Sequence, residues 1–237
     1  MIPLNDNVRR QTFWFSTLAL IALNTAVFFY ELSLGPALLN QFILIFGLIP
    51  ARYTTPHGAI IITSLSAFIV PVFTSMFIHG GWLHLLGNML FLFVFGRSIE
   101  DRYGHGQFLL LYFLSGFGAA VAEVLFNMGS RVPTIGASGA IAGILGAYLV
   151  SFPTARITTL IPLFIIFWTI RIPALLILVY WFAIQFATGD QTMAIESATH
   201  GGVAWWAHVG GFILGMLLAL AMPKRQHRAA EVWPWEI

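Results

Sequence analysis

Apolar residues in this chain run in blocks of hydrocarbon length, separated by short polar stretches. Six blocks are long and clean enough to span a bilayer: approximately 12–32, 82–102, 106–127, 137–153, 172–189 and 204–222. The first follows Arg9 and Arg10 and resembles a signal peptide. Its apolar run of about 18 residues, without a small-residue exit, suits an uncleaved spanning helix better. Two further runs are ambiguous. Ala59 to Ile78 is broken by Pro71 and several Ser and Thr, and Ile157 to Ile170 contains Pro162 and is about 14 residues long, short for a span.

Charge decides how the ambiguous runs are read. If six segments span and the N-terminus is cytoplasmic, Arg9, Arg10, Arg97, Arg102, Arg156, Arg171, Lys224, Arg225 and Arg228 fall inside and only Arg52 and Arg131 outside. Making Ala59–Ile78 a span would export Arg97, Arg102, Arg156 and Arg171. It is therefore assigned to a large outer loop, about 33–81, that dips into or lies along the membrane. Making Ile157–Ile170 a span would export the basic tail, so it is assigned to the interface. Trp233 and Trp235 of the tail from 223 to 237 are expected to rest in the cytoplasmic interface. The expected fold is an all-α polytopic membrane protein: one domain over residues 1–237, six helices and a short cytoplasmic tail.

Composition agrees with that class. Of 237 residues, 59% are hydrophobic and 8% charged, against about 25% charged in ordinary soluble domains. Mean hydropathy is +0.86. The net charge of +2 argues against a nucleic-acid surface. The absence of cysteine removes disulfides, thiolate metal sites and cysteine nucleophiles.

The topology also gathers the scarce polar residues. Ser138 lies at the outer end of the fourth span, His208 of the sixth, and His84 with Asn88 of the second. A hydroxyl and an imidazole set into hydrocarbon are costly unless used, and read together as nucleophile and base. His84 and Asn88, four apart, share a helix face and can aim donors at one point, as a developing oxyanion requires. Gly136 and Gly139 permit close backbone approach at Ser138. Gly139, Ala142, Gly143 and Gly146 give the fourth span a small-residue face, and Gly211 and Gly215 give the sixth another, so these two helices are expected to pack closely.

Other polar residues receive blander readings. Glu100, Asp101 and Arg102 beside Arg97 read as a structural ion-pair and hydrogen-bond cluster at the inner end of the second span. Glu123 reads as support near the outer end of the third, and His79 as a loop-positioning residue. His57, His105 and His200 receive no role. No metal or cofactor site is indicated.

The stretches His79–Asn88, Gly96 through Glu100 to Arg102 and Gly104, Gly136-Ala137-Ser138-Gly139, and Ala207-His208 with Gly211 and Gly215 resemble, in order, the rhomboid family of intramembrane serine proteases. The resemblance implies a Ser138–His208 dyad without a third acid. It implies an oxyanion hole from His84, Asn88 and the Ser138 backbone N–H, and structural roles for Glu100 and Arg102. It further implies cleavage of transmembrane or membrane-proximal segments of other membrane proteins, with helix-breaking residues in the substrate and a small residue before the cut. A bacterial inner membrane, with both termini cytoplasmic and the site open to the outer face, is the expected location.

Two features depart from the family pattern. The first outer loop lacks a Trp-Arg pair, and Ala142 stands where many members place an aromatic residue against the histidine. Trp205 and Trp206 are the nearby substitutes. A gate is expected at the fifth span, with Trp181, Phe182 and Phe186 moving away from the second. Two competing readings are a non-catalytic, client-binding rhomboid-like protein, and a transporter using His84, His208 and Glu123.

Overall fold

The computed structural model describes residues 2–54, 60, 64–163, 166–192 and 204–225, with the backbone alone at 162–163, 166–167 and 184–192. Among the described residues, three stretches are long and apolar enough to cross a membrane. These are α1 (Phe15–Ser33), α6 (His105–Phe126), and the pair α4 (Trp82–Phe91) and α5 (Arg97–Tyr103) joined through a π-helical turn at Leu92–Gly96. Three further helices of the described residues complete the bundle: α7 (Ser138–Ser151), α8 (Ala174–Thr192) and α9 (Trp205–Ala221).

The centre is α6, α7 and α9 packed on one another. Small residues make this possible, because without a hydrophobic driving force in lipid, close backbone contact must supply the packing energy. A Cβ on Gly211 would lie 2.0 Å from the Gly139 carbonyl oxygen, and one on Gly215 would lie 2.1 Å from that of Gly143. Gly210 meets Ala122 and the Gly118 carbonyl in the same way, bringing α6 against α9. Helices α7 and α9 thus run parallel, with their N-termini at one end of the bundle.

In the run from Ala59 to Ile78 the described residues form a short helix, α3 (Leu65–Thr74), continued by a 3₁₀ turn at Ser75–Phe77. Its ten residues rise only about 15 Å, half a hydrocarbon core. Another apolar helix, α2 (Pro36–Phe46), precedes it. Leu38, Leu44 and Ile45 of α2 and Leu65, Ile69 and Val70 of α3 are exposed, surfaces suited to lipid.

One element departs from an all-α expectation. The run at 157–170 is neither a span nor a helix but part of a hairpin, β2 (Arg156–Leu163) and β3 (Ile166–Pro173), onto which β1 (Ile2–Asp6) adds as a third antiparallel strand in the order β1-β2-β3. Nine β-branched residues between 156 and 173 favour this extended form. Asp6 anchors the sheet to the bundle: its buried carboxylate accepts from Arg10 Nη1 (2.6 Å), Ser98 Oγ (2.5 Å) and the Tyr148 hydroxyl (2.9 Å). β1 packs on α4 and the π turn, and β3 leads directly into α8.

Candidate active site

Ser138 opens α7, so its backbone N–H is among the first-turn donors that the helix itself leaves unpaired. The turn before it depends on Gly136, whose φ of +120° is in the region open to glycine. That backbone is held by a hydrogen bond from the Gly136 N–H to the Ser75 carbonyl at 2.8 Å, tying it to the 3₁₀ turn after α3. A Cβ at Gly136 would meet His84 Nε2 at 2.6 Å and Asn88 Nδ2 at 3.6 Å. The two polar groups of α4 therefore converge on the turn that presents Ser138.

His208 lies in the first turns of α9, 6% exposed. Its Nε2 is 2.7 Å from Ser138 Oγ, across 70 positions of sequence. A hydroxyl hydrogen-bonded to an imidazole is the arrangement by which a serine is activated as a nucleophile. The imidazole sits among aromatic rings: Trp205 lies edge-on, with centroids 6.2 Å apart, and Trp181 of α8 lies at 5.8 Å. Trp206 instead stacks on Phe126 at 4.1 Å. Trp181, read in the sequence only as a gate residue, thus also neighbours the imidazole.

Residues 67–225, more than half of the chain, match the family model described as the Rhomboid domain. The chain belongs to the rhomboid family. It is similar to RHOMBOID-like protein 1 of Arabidopsis thaliana, 37% identical over 150 residues that make up 62% of this chain and 33% of that protein. It is also similar to the rhomboid protease GluP of Bacillus subtilis (strain 168), 43% identical over 76 residues, 32% of this chain and 14% of GluP. Rhomboid protein 1, mitochondrial, of Saccharomyces cerevisiae (strain ATCC 204508 / S288c) is 28% identical over 175 residues, 70% of this chain and 47% of the yeast protein. These matches span less than half the length of each relative. With its apolar spanning helices, this rhomboid is an integral membrane protein.

At the opposite end of the bundle, the acidic pair of the Gly96–Gly104 stretch is tied into a hydrogen-bonded cluster. Glu100 is fully buried and pairs with neither Arg97 nor Arg102. It accepts from the Ser16 N–H (2.7 Å), the Thr17 N–H (2.7 Å) and the Thr17 hydroxyl (2.6 Å), capping α1, and contacts His105 Nδ1 at 2.5 Å. Asp101 accepts from the backbone N–H groups of Gln11 and Thr12. The Arg97 guanidinium lies 3.8 Å over the Phe93 ring and bonds Asn5. The Arg102 carbonyl accepts from the Arg225 N–H at 2.9 Å, joining the end of α5 to the chain beyond α9. His105, given no role in the sequence, therefore belongs to this cluster.

Glu123, 5% exposed, accepts from Asn127 Nδ2 at 2.7 Å and the Thr134 hydroxyl at 3.3 Å, which ties the end of α6 to the loop leading into α7. Among the described residues no cluster of His, Cys, Asp or Glu is arranged to hold a metal ion. His57, His200, Arg228, Trp233, Trp235 and the Phe186 side chain lie outside the described residues.

Proposed function

We propose that this rhomboid is an intramembrane serine endopeptidase using Ser138 as nucleophile and His208 as general base. The 2.7 Å contact between Ser138 Oγ and His208 Nε2 carries the reading. Ser138 Oγ attacks a peptide carbonyl carbon while His208 Nε2 takes the hydroxyl proton. Negative charge forming on the carbonyl oxygen meets His84, Asn88 and the Ser138 backbone N–H. His208 then returns the proton to the leaving amine, giving an acyl-enzyme ester. Water, deprotonated by the same imidazole, hydrolyses the ester and restores the serine.

The substrates are membrane proteins whose helix must open locally, because a helical backbone hides its carbonyls. In this reading α7, α8 and α9 also cross the membrane, giving six spans with both termini on the inner face. Fourteen residues carry α7 only about 21 Å, less than the roughly 30 Å hydrocarbon core. A helix that short begins below the outer surface, so water must descend to Ser138. The relatives come from plants, yeast mitochondria and a bacterium, and so do not support the bacterial inner membrane expected from the sequence.

Retention of both Ser138 and His208 at bonding distance favours the protease over a non-catalytic client-binding rhomboid. The test is cleavage of a single-span model substrate in liposomes. Ser138→Ala is expected to abolish cleavage while leaving thermal stability close to that of the parent protein, and retained cleavage overturns the proposal.

A further inference from the structure

His79 lies outside the Ser138–His208 pair and three residues ahead of α4, yet it is 2% exposed and bonded on every side. Its backbone N–H reaches both carboxylate oxygens of Glu31 in α1 at 3.2 Å. Its Nδ1 is 3.1 Å from the Phe77 carbonyl oxygen, and its Nε2 is 3.0 Å from Asn88 Nδ2. A carbonyl can only accept, so Nδ1 carries the ring proton. Nε2 then bears the lone pair, and the Asn88 amide must donate to it. The imidazole is thereby fixed in one tautomer and aimed at one partner.

Asn88 has two amide hydrogens. With one committed to His79, the orientation of the amide plane is set and the second hydrogen is left for another acceptor. The same nitrogen stands 3.6 Å from the position a Cβ would take on Gly136, beside His84 Nε2 and two residues from Ser138. A side-chain amide otherwise turns freely about its last torsion and can present its oxygen instead of its nitrogen. An oxygen facing a developing oxyanion repels it.

We infer that His79 is a positioning residue for the oxyanion site, holding the Asn88 amide so that its nitrogen, and not its oxygen, faces the turn before Ser138. This rests on the proposed protease activity and adds a residue to it. The chain of contacts runs from Glu31 through the His79 backbone, and from the Phe77 carbonyl through the ring, to Asn88. The first outer loop thus fixes a donor of α4 that it does not itself carry.

The experiment is a double-mutant cycle on the full-length protein in liposomes with a cleavable single-span substrate. It uses His79→Ala, His79→Gln, Asn88→Ala and His79→Ala combined with Asn88→Ala, and follows kcat, KM and Tm. His79→Ala is expected to lower kcat about tenfold with KM within about twofold of the parent value, since the lost contact acts in the transition state. The Gln side chain can place its carbonyl oxygen near the former Nε2, so His79→Gln is expected to recover kcat to within about threefold. In the Asn88→Ala background, His79→Ala is expected to lower kcat by less than about twofold. A His79→Ala kcat equal to that of the parent, or an undiminished tenfold loss without Asn88, overturns the inference. If His79→Ala does not fold, His79→Gln alone and combined with Asn88→Ala decides the matter, because coupling between the two positions must still appear in kcat. Cleavage surviving in Ser138→Ala would instead overturn the protease reading itself.

Discussion

The Gly211 Cα and the Gly139 carbonyl are in such close contact that a single added methyl group would sit 2.0 Å from the oxygen. Gly139 follows Ser138, and Gly211 is three residues after His208. The approach of two backbones is therefore what sets the distance between hydroxyl and imidazole.

Bulk at this seam is expected to separate the two helices. Gly215→Leu places its Cβ 2.1 Å from the Gly143 carbonyl, a backbone neighbour that cannot step aside. Overpacking of this kind costs about 1–3 kcal/mol. The variant should show a lower Tm and at least about a tenfold loss of substrate cleavage, although position 215 is two turns from the imidazole. Gly35→Leu, with nothing within 4 Å of the added Cβ, should leave both measurements close to the parent values.

Glu100 joins α5 to the first turn of α1. In Glu100→Ala the Ser16 and Thr17 N–H groups lose their acceptor in a buried setting, at a cost of about 1–3 kcal/mol per unsatisfied donor. A fall in Tm measured in detergent is expected. Once the variant is stabilised at low temperature, its kcat should approach that of the parent protein, because the site lies at the other end of the bundle.

Burial and the neighbouring His84 ring push the His79 imidazole down to about 4 from its ordinary 6.5. The groups facing it are His84, with ring centroids 5.1 Å away, the Asn88 amide, the Phe77 carbonyl and the Glu31 carboxylate on its backbone. Between about pH 6.5 and 4 the unfolded chain binds a proton at this position that the folded chain refuses. Its contribution to stability is therefore complete above pH 6.5 and declines as pH falls toward 4. In His79→Gln this part of the acid dependence should vanish. Tm measured from pH 7.5 down to pH 5 should fall less steeply in the variant than in the parent.

Trp205 and Trp181 frame the imidazole where Ala142 offers no ring. Trp205→Ala is expected to lower kcat about threefold to tenfold, and combining it with Trp181→Ala is expected to deepen the loss. Trp206→Ala, which removes a ring stacked on Phe126, should act on Tm rather than on kcat.

Much of this arrangement could be read from residue spacing. His84 and Asn88 share a face because they are four apart on a helix, and the glycine faces of α7 and α9 announced a close crossing. The sheet was harder to read. β1 pairs with a strand more than 150 positions away, and an apolar run with a proline resembles a short interfacial segment as readily as half of a hairpin. The cluster of β-branched residues from 156 to 173 was the available signal. Charge placed Glu100 in a structural ion-pair and hydrogen-bond cluster but did not name its partners. The carboxylate meets backbone N–H groups and His105, because the start of α1 offers unpaired donors and a favourable dipole. The part proposed for His79 depends on contacts among α1, the segment before α4 and α4 itself that no local pattern encodes.

In the proposed mechanism Ser138 is a nucleophile made reactive by His208. Mass spectrometry after treatment with a fluorophosphonate tests it most directly. A single adduct is expected on the peptide containing Ser138 in the parent protein, and none in Ser138→Ala. In a folded His208→Ala protein, labelling is expected to be slower by at least about a hundredfold. A parent protein that stays unlabelled while folded, or labelling that proceeds equally fast without His208, would contradict it.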